Sequence, residues 1–262
     1  KHLTIMLKPA SSLCNLRCKY CFYADITSLR EVSSFGVMKE SAMTAVMDHI
    51  FIDLDDGDYL TLSFQGGEPM LAGLPFYRNL VQYIAGKKAK YPYKYTLQTN
   101  GILLDDDWCK FLAKYGFLIG ISLDILPESH DAVRVDTAGQ GTYEQVLRSI
   151  SLLKKHHIEH NVLCTLTRQT ARHPAKVWAQ IKKLDLSYIQ FTPALGISSL
   201  ARTRQRQMLH RTRDAHVAET ALLLQLRRII PGDRHVAWGK YHPPCRQGIR
   251  SGTPVLLRNA VS

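Results

Sequence analysis

Short runs that fit β-strands alternate along this chain with longer stretches of helical periodicity. Residues 3–8, Leu-Thr-Ile-Met-Leu-Lys, predict a first strand. Met43, Val46, Met47, Ile50 and Phe51 then fall at helical spacing over 39–54. The pattern continues with strand 59–64, helix 74–86, strand 93–98, helix 105–115 and strand 116–123. The third of these helices opens on a run of aspartates, which suits the positive end of a helix dipole. After a longer polar loop come helix 142–156, strand 160–166, helix 174–184 and strand 188–192.

Six strands alternating with helices in βα order predict a parallel sheet with right-handed crossovers. Such sheets carry their ligands at the carboxyl ends of the strands. The polar segments of this sequence fall there: residues 14–23 after strand one, 65–69 after strand two, 99–101 after strand three and 122–124 after strand four. An open doubly wound sheet and a barrel both satisfy this order.

Composition narrows the class. The chain has 262 residues, 45% of them hydrophobic, enough for one large core. No apolar run approaches the ~20 residues that span a bilayer, and the first residues lack a signal-peptide pattern. Six cysteines, three clustered and three scattered (Cys109, Cys164, Cys245), do not form a secreted disulfide framework. A reducing cytoplasm is the expected compartment.

Net charge is +12, but residues 197–262 hold eleven Arg, one Lys and three acids, a net of +9 that leaves +3 for the first 196. The division predicts a near-neutral α/β unit over 1–196 and an Arg-rich segment over 197–262. Within the latter, 207–230 fits one amphipathic helix ending at Pro231-Gly232, and the last 30 residues read as irregular. A basic nucleic-acid-binding module is the competing class. The tail lacks the aromatic interleaving and motif such a module shows, so nucleic acid is not the expected partner.

The chemistry concentrates in Cys14-Asn-Leu-Arg-Cys18-Lys-Tyr-Cys21-Phe22-Tyr23. Three thiolates hold three irons of a cubane and leave the fourth open to an exogenous ligand, whereas a closed [4Fe–4S] site needs four. Structural zinc is the alternative, but it wants a fourth Cys or His nearby, and none follows Cys21 closely. A disulfide would leave one cysteine over. His156, His157 and His160 are a second tempting metal cluster, better read as helix-end or solvated residues. Cys109 and Cys164 read as small buried apolar side chains.

The spacing Cys-x3-Cys-x2-Cys with Phe22 after the last cysteine resembles the radical S-adenosylmethionine enzymes. That resemblance implies a partial (β/α)6 barrel, a [4Fe–4S] cluster on Cys14, Cys18 and Cys21, and S-adenosylmethionine on the open iron. It also implies reductive cleavage to a 5′-deoxyadenosyl radical, with Phe22 as the motif's aromatic residue at the cofactor. Tyr23, next along, is read as lining the active site or packing against the barrel mouth. Gly66-Gly67-Glu68-Pro69 matches the family's segment for the cofactor's amino group, which suits backbone carbonyls and Glu68. A plain strand-to-helix turn would use the same residues. Ser122 is expected at the cofactor's carboxylate end, Asp124 at a ribose hydroxyl or a turn, and Arg134 of His130-Asp131-x-x-Arg134 at a carboxylate or in a surface ion pair. Gln65, Gln98 and Asn100 are neutral amides at strand ends, suited to a sugar or a peptide backbone.

Ser-Phe-Gln-Gly-Gly-Glu-Pro, Gln-Thr-Asn-Gly, Ile-Ser-Leu-Asp and Gly-Thr-Tyr bring the resemblance closer, to the anaerobic sulfatase-maturating enzymes, over residues 3–196. These oxidise a sulfatase Cys or Ser to Cα-formylglycine, with electrons from a low-potential donor such as flavodoxin or ferredoxin. Another peptide-modifying maturase of the superfamily is the alternative. The resemblance stops near 196. Where the family continues into a cysteine-rich region for auxiliary clusters and a catalytic carboxylate, this sequence has Cys245 alone and no assignable carboxylate. An abrupt switch to Arg-rich composition is what a truncated or frame-shifted reading of the gene would produce.

Overall fold

The computed structural model describes residues 1–21, 23, 24, 30–87, 93–194 and the backbone of 236–238. Strands β1 (His2–Leu7), β2 (Tyr59–Phe64), β3 (Tyr93–Thr99), β4 (Leu118–Ser122), β5 (His160–Leu166) and β6 (Ile189–Pro193) form one sheet in sequence order, and all pairs are parallel. The helices between them are α1 (Glu40–Ile52), α2 (Gly73–Gly86), α3 (Asp106–Lys114), α4 (Pro127–Asp131), α5 (Tyr143–Lys155), α6 (Arg168–Ala171) and α7 (Pro174–Lys183). Among the described residues the last strand does not pair with β1. The architecture is thus the α/β partial barrel expected, open along one seam.

Two differences from the periodicity are physical. Helices α4 and α6, of five and four residues, are too short to show a period. A seventh strand, β7 (Val236–Trp238), adds in parallel to β6 within a segment predicted to be irregular. The predicted helix 207–230, and with it nearly all of the +9 segment and the boundary near 196, lies outside the described residues.

Each strand buries alternate residues beneath the helices, as the two-residue period of a pleat requires. Leu60, Leu62 and Phe64 of β2, Tyr95 and Leu97 of β3, Ile119 and Ile121 of β4 and Val162, Cys164 and Leu166 of β5 form this layer. Tyr77 at its centre is fully buried, packs edge-on against Phe64 and Trp108, and donates to the Pro69 carbonyl at 3.0 Å. The alternate face is mostly polar or small, with Thr61 and Ser63, Thr96 and Gln98, Gly120 and Ser122, Asn161 and Thr165, and Gln190, and carries the apolar Met6 and Leu163 among them. A polar interior face is thereby aimed at the space the curled sheet encloses. Asp105 caps α3 by accepting from the Trp108 amide at 2.8 Å, which fixes the return from β3 toward β4.

Candidate active site

The cysteine segment leaves β1 through two tight turns, in which the Ser11 amide donates to Lys8 O and the Leu13 amide to Ala10 O. From there it is held on two sides. On one side, the amides of Gly67 and Glu68 donate to the carbonyls of Ser11 (3.0 Å) and Leu13 (2.6 Å). On the other, the amides of Arg17 and Lys19 donate to Val135 (2.7 Å) and Val133 (2.9 Å), beside an antiparallel bridge between Leu16 and Asp136. The ladder turns Leu16 and Cys18 inward and leaves Arg17 and Lys19 exposed.

The glycines of the second strand-end loop are required by this contact. A Cβ on Gly67 would stand 2.1 Å from Leu13 O, and one on Gly66 would stand 2.7 Å from Ser11 O. Gly66 also has φ +126°, which disfavours any other residue. Backbone therefore lies against backbone where the cysteine loop meets residues 65–69.

Glu68, expected beside a cofactor amine, lies beneath the strand ends and is 1% exposed. Its Oε1 accepts from the Met70 amide (3.0 Å) and Thr99 hydroxyl (2.8 Å), and its Oε2 from the Asn100 amide (2.8 Å). Burial raises its pKa to about 7, against the pull of these three donors. Pro69 begins the turn that follows and is buried. Asn100, expected to face substrate, is likewise committed within the chain. Its Nδ2 donates to Asn15 Oδ1 at 2.8 Å and lies 3.8 Å from Cys14 Sγ, and its Oδ1 accepts from the Ile102 amide. The short loop after β3 thus props the Cys14 corner.

A second buried network stands behind Cys18. Asp124 is fully buried; its Oδ2 accepts from the Tyr20 hydroxyl at 2.6 Å and its Oδ1 from the Thr165 amide at 2.9 Å. Asp124 thus bonds across to β5 and the cysteine segment, and among the described residues its side chain caps no turn. Its own amide donates to His130 Nδ1 (3.2 Å), so the ring proton sits on Nε2, which faces Thr142 Oγ1 at 3.1 Å; that hydroxyl donates in turn to the Arg134 carbonyl at 3.0 Å. Burial, with the Arg134 cation second, holds His130 down at about 3, in its neutral form. Arg134 is buried, with Nε 3.4 Å from Asp124 Oδ2 and Nη1 4.0 Å from Cys18 Sγ. It makes a buried rather than a surface ion pair.

Ser122 is 9% exposed and accepts from Gln98 Nε2 at 3.2 Å, while Gln65 Nε2 donates to Ser63 at 3.2 Å. A Cβ on Gly120 would collide with Gln98 Oε1, so this glycine makes room for the amide. The Tyr23 ring has Lys8 Nζ 5.0 Å from its centre. Phe22 lies outside the described residues. Cys109 and Cys164 are buried as expected. His156 pairs with Asp106 at 2.7 Å, and His160 Nδ1 bonds the Ile158 carbonyl at 2.8 Å. Tyr20 carries no signal in the sequence beyond its place between Cys18 and Cys21.

Cys14, Cys18 and Cys21 are half-buried free thiols. Burial raises the pKa of Cys14, and raises that of Cys18 to about 11, so water-excluded thiolates here need a cationic partner. Among the described residues no group of three or more His, Cys, Asp or Glu side chains is arranged to hold a single metal ion. The donor set fits a multi-iron cluster, in which each thiolate takes a different iron and the sulfurs need not converge. No described helix is long and apolar enough to cross a membrane.

The model of the radical SAM superfamily matches residues 9–177. A cysteine-type anaerobic sulfatase-maturating enzyme of Clostridium novyi (strain NT) is 39% identical over 200 residues, which is 74% of this chain and 52% of the relative. The serine-type enzyme of Bacteroides thetaiotaomicron is 32% identical over 197 residues, 74% of this chain and 46% of the relative. A solved structure of native anSMEcpe with bound AdoMet and the Kp18Cys peptide superposes with a TM-score of 0.69 at 38% identity, covering 74% of this chain and 52% of that one. The chain spans about half the length of the curated relatives it matches.

Proposed function

The chain belongs to the radical SAM superfamily, and from that membership we propose that it is the radical-generating part of an anaerobic sulfatase-maturating enzyme. The superfamily's cofactors are a [4Fe–4S] cluster and S-adenosylmethionine. When bound, they supply a one-electron cleavage that yields a hydrogen-abstracting 5′-deoxyadenosyl radical. Cys14, Cys18 and Cys21 would hold the cluster. The carbonyls around Gly66 and Gly67 would receive the amino group of S-adenosylmethionine, and Ser122 would receive its carboxylate. Glu68 and Asn100 act from behind, as props for these two loops. Gln65 and Gln98 line the polar interior face and suit the backbone of an entering peptide, and Tyr23 closes the rim.

The proposed reaction converts a sulfatase Cys or Ser to Cα-formylglycine. One hydrogen atom would pass from the side-chain methylene to that radical, and a second electron would go to a one-electron acceptor outside the described residues as a proton leaves to base. A Ser target is then an aldehyde, whereas a Cys target is a thioaldehyde that water hydrolyses with loss of hydrogen sulfide. A low-potential donor such as flavodoxin or ferredoxin would prime each turnover. A cysteine target is favoured by the higher identity to the cysteine-type relative, 39% against 32%. A reducing cytoplasm suits such a cluster. The observation that carries the reading is the backbone-to-backbone seat of the cysteine loop on Gly66 and Gly67.

The test is anaerobic reconstitution with iron and sulfide, followed by S-adenosylmethionine, dithionite and sulfatase peptides carrying either Cys or Ser. The expected result is release of 5′-deoxyadenosine, stimulated more by the Cys peptide than by the Ser peptide. A fully loaded chain that releases no 5′-deoxyadenosine overturns the proposal.

A further inference from the structure

We infer that Arg134 is a positioning residue that sets the reduction potential of the cluster through Cys18, with Asp124 as its counterweight. The inference rests on the reading of Cys18 as a cluster ligand.

The Arg134 side chain is 9% exposed and that of Asp124 is 0% exposed, so neither charge is screened by bulk water. The guanidinium does not make a saturated ion pair. Its Nε lies 3.4 Å from Asp124 Oδ2 but is left without a hydrogen-bond partner, and both oxygens of that carboxylate already accept from Tyr20 and Thr165. The opposite end of the fork, Nη1, faces Cys18 Sγ at 4.0 Å, and the carbon of the guanidinium sits 5.3 Å from the centre of the Tyr20 ring. Burial alone would lower the Arg134 pKa, but Asp124, Tyr20 and Cys18 outweigh it and keep the group cationic.

Backbone holds the cation there. The Arg134 amide donates to His130 O at 2.7 Å, and its carbonyl accepts from Thr142. The carbonyls on either side of it, Val133 and Val135, accept from Lys19 and Arg17, which flank Cys18. The segment that carries Arg134 is therefore stitched to the segment that carries Cys18, one residue to each side.

A fixed N–H donor and positive charge at a ligand sulfur favour the reduced cluster, which holds one more electron, and so raise its potential. The Asp124 carboxylate acts in the opposite sense on the same cluster. The resting potential reflects the difference between the two, with the guanidinium nearer the sulfur. Lysine would keep the charge without the planar fork that spans Asp124 and Cys18.

The test uses the reconstituted chain without S-adenosylmethionine, titrated with dithionite and followed by the EPR signal of the reduced cluster. Arg134→Met is expected to shift the reduction equilibrium at least tenfold toward the oxidised form, which is 59 mV for one electron. Arg134→Lys is expected to shift it less in the same direction, and Asp124→Asn in the opposite direction. A full-iron Arg134→Met protein with an unchanged potential overturns the inference, as does one whose only defect is weaker S-adenosylmethionine binding. If Arg134→Met takes up no iron, Arg134→Lys and Asp124→Asn decide, and potentials that do not move in opposite senses overturn it. A wild-type chain that binds no cluster would instead count against Cys18 as a ligand.

Discussion

Glu68 and His130 are two buried titratable groups close to the cysteine loop whose protonation is pushed in opposite senses, and together they shape the stability of the site with pH. Glu68 has its folded pKa raised to about 7, so its contribution is fully present below the unfolded carboxylate value and is lost as pH rises through 7. The cost of ionising it in the fold is on the order of 3 kcal/mol. His130 is held down at about 3, so its contribution is present above the unfolded value near 6.5 and is lost as pH falls toward 3. Between about 4.5 and 6.5 the two slopes oppose each other. Glu68→Gln removes one of them, and its melting temperature is expected to gain on wild type steadily as pH is raised from 5 to 8. Parallel melting curves for the two proteins would show that Glu68 does not titrate in this window. These roles were only partly readable beforehand. Cysteine spacing marks the candidate ligands, but the bonds of Glu68 to Thr99 and Asn100 and of Tyr20 to Asp124 span 31 to 104 residues of chain, which no local pattern encodes.

At the level of elements, the loop after β2 and the loop after β1 are a single unit because glycine lets their backbones touch. Gly67→Ala places a methyl group against Leu13 O and must displace the cysteine loop or the turn at Pro69. The expected outcome is at least a tenfold loss of iron incorporation, read by absorbance and iron analysis, with the far-ultraviolet CD spectrum retained because the strands themselves are untouched. Normal iron content in a folded Gly67→Ala protein would show that the seat is slack. Strand and helix order was legible because period-two and helical runs alternate cleanly, and parallel βα order then collects the polar loops at one end of the sheet. The antiparallel ladder between 16–19 and 133–136 was not legible, since it joins two loops that lack strand patterning. Helices α4 and α6 were hidden by their length.

For the molecule as a whole, three loops from separate parts of the chain share one set of hydrogen bonds around the thiols. A cluster that binds only the folded state stabilises by mass action, and here it would tie residues 14–21 to neighbours at 65–68 and 133–136. Loading with iron and sulfide is expected to raise the melting temperature by several degrees and to slow amide exchange in all three segments at once. Chelating the iron should reverse both effects, and protection confined to 14–21 would show that the loops are independent. The same arrangement bears on how the protein is made. Strand neighbours in space are strand neighbours in sequence from β1 to β6, so each new strand emerging from the ribosome finds its partner already formed. The backbone partners of the cysteine segment, at 67–68 and 133–135, have all been synthesised by residue 136, and of the side-chain contacts around Tyr20 only that of Thr165 on β5 comes later. The backbone bed for the cluster can therefore assemble on the nascent chain before β6 is translated, with β5 adding the Thr165 contact behind Cys18, and iron–sulfur delivery need not wait for the finished polypeptide.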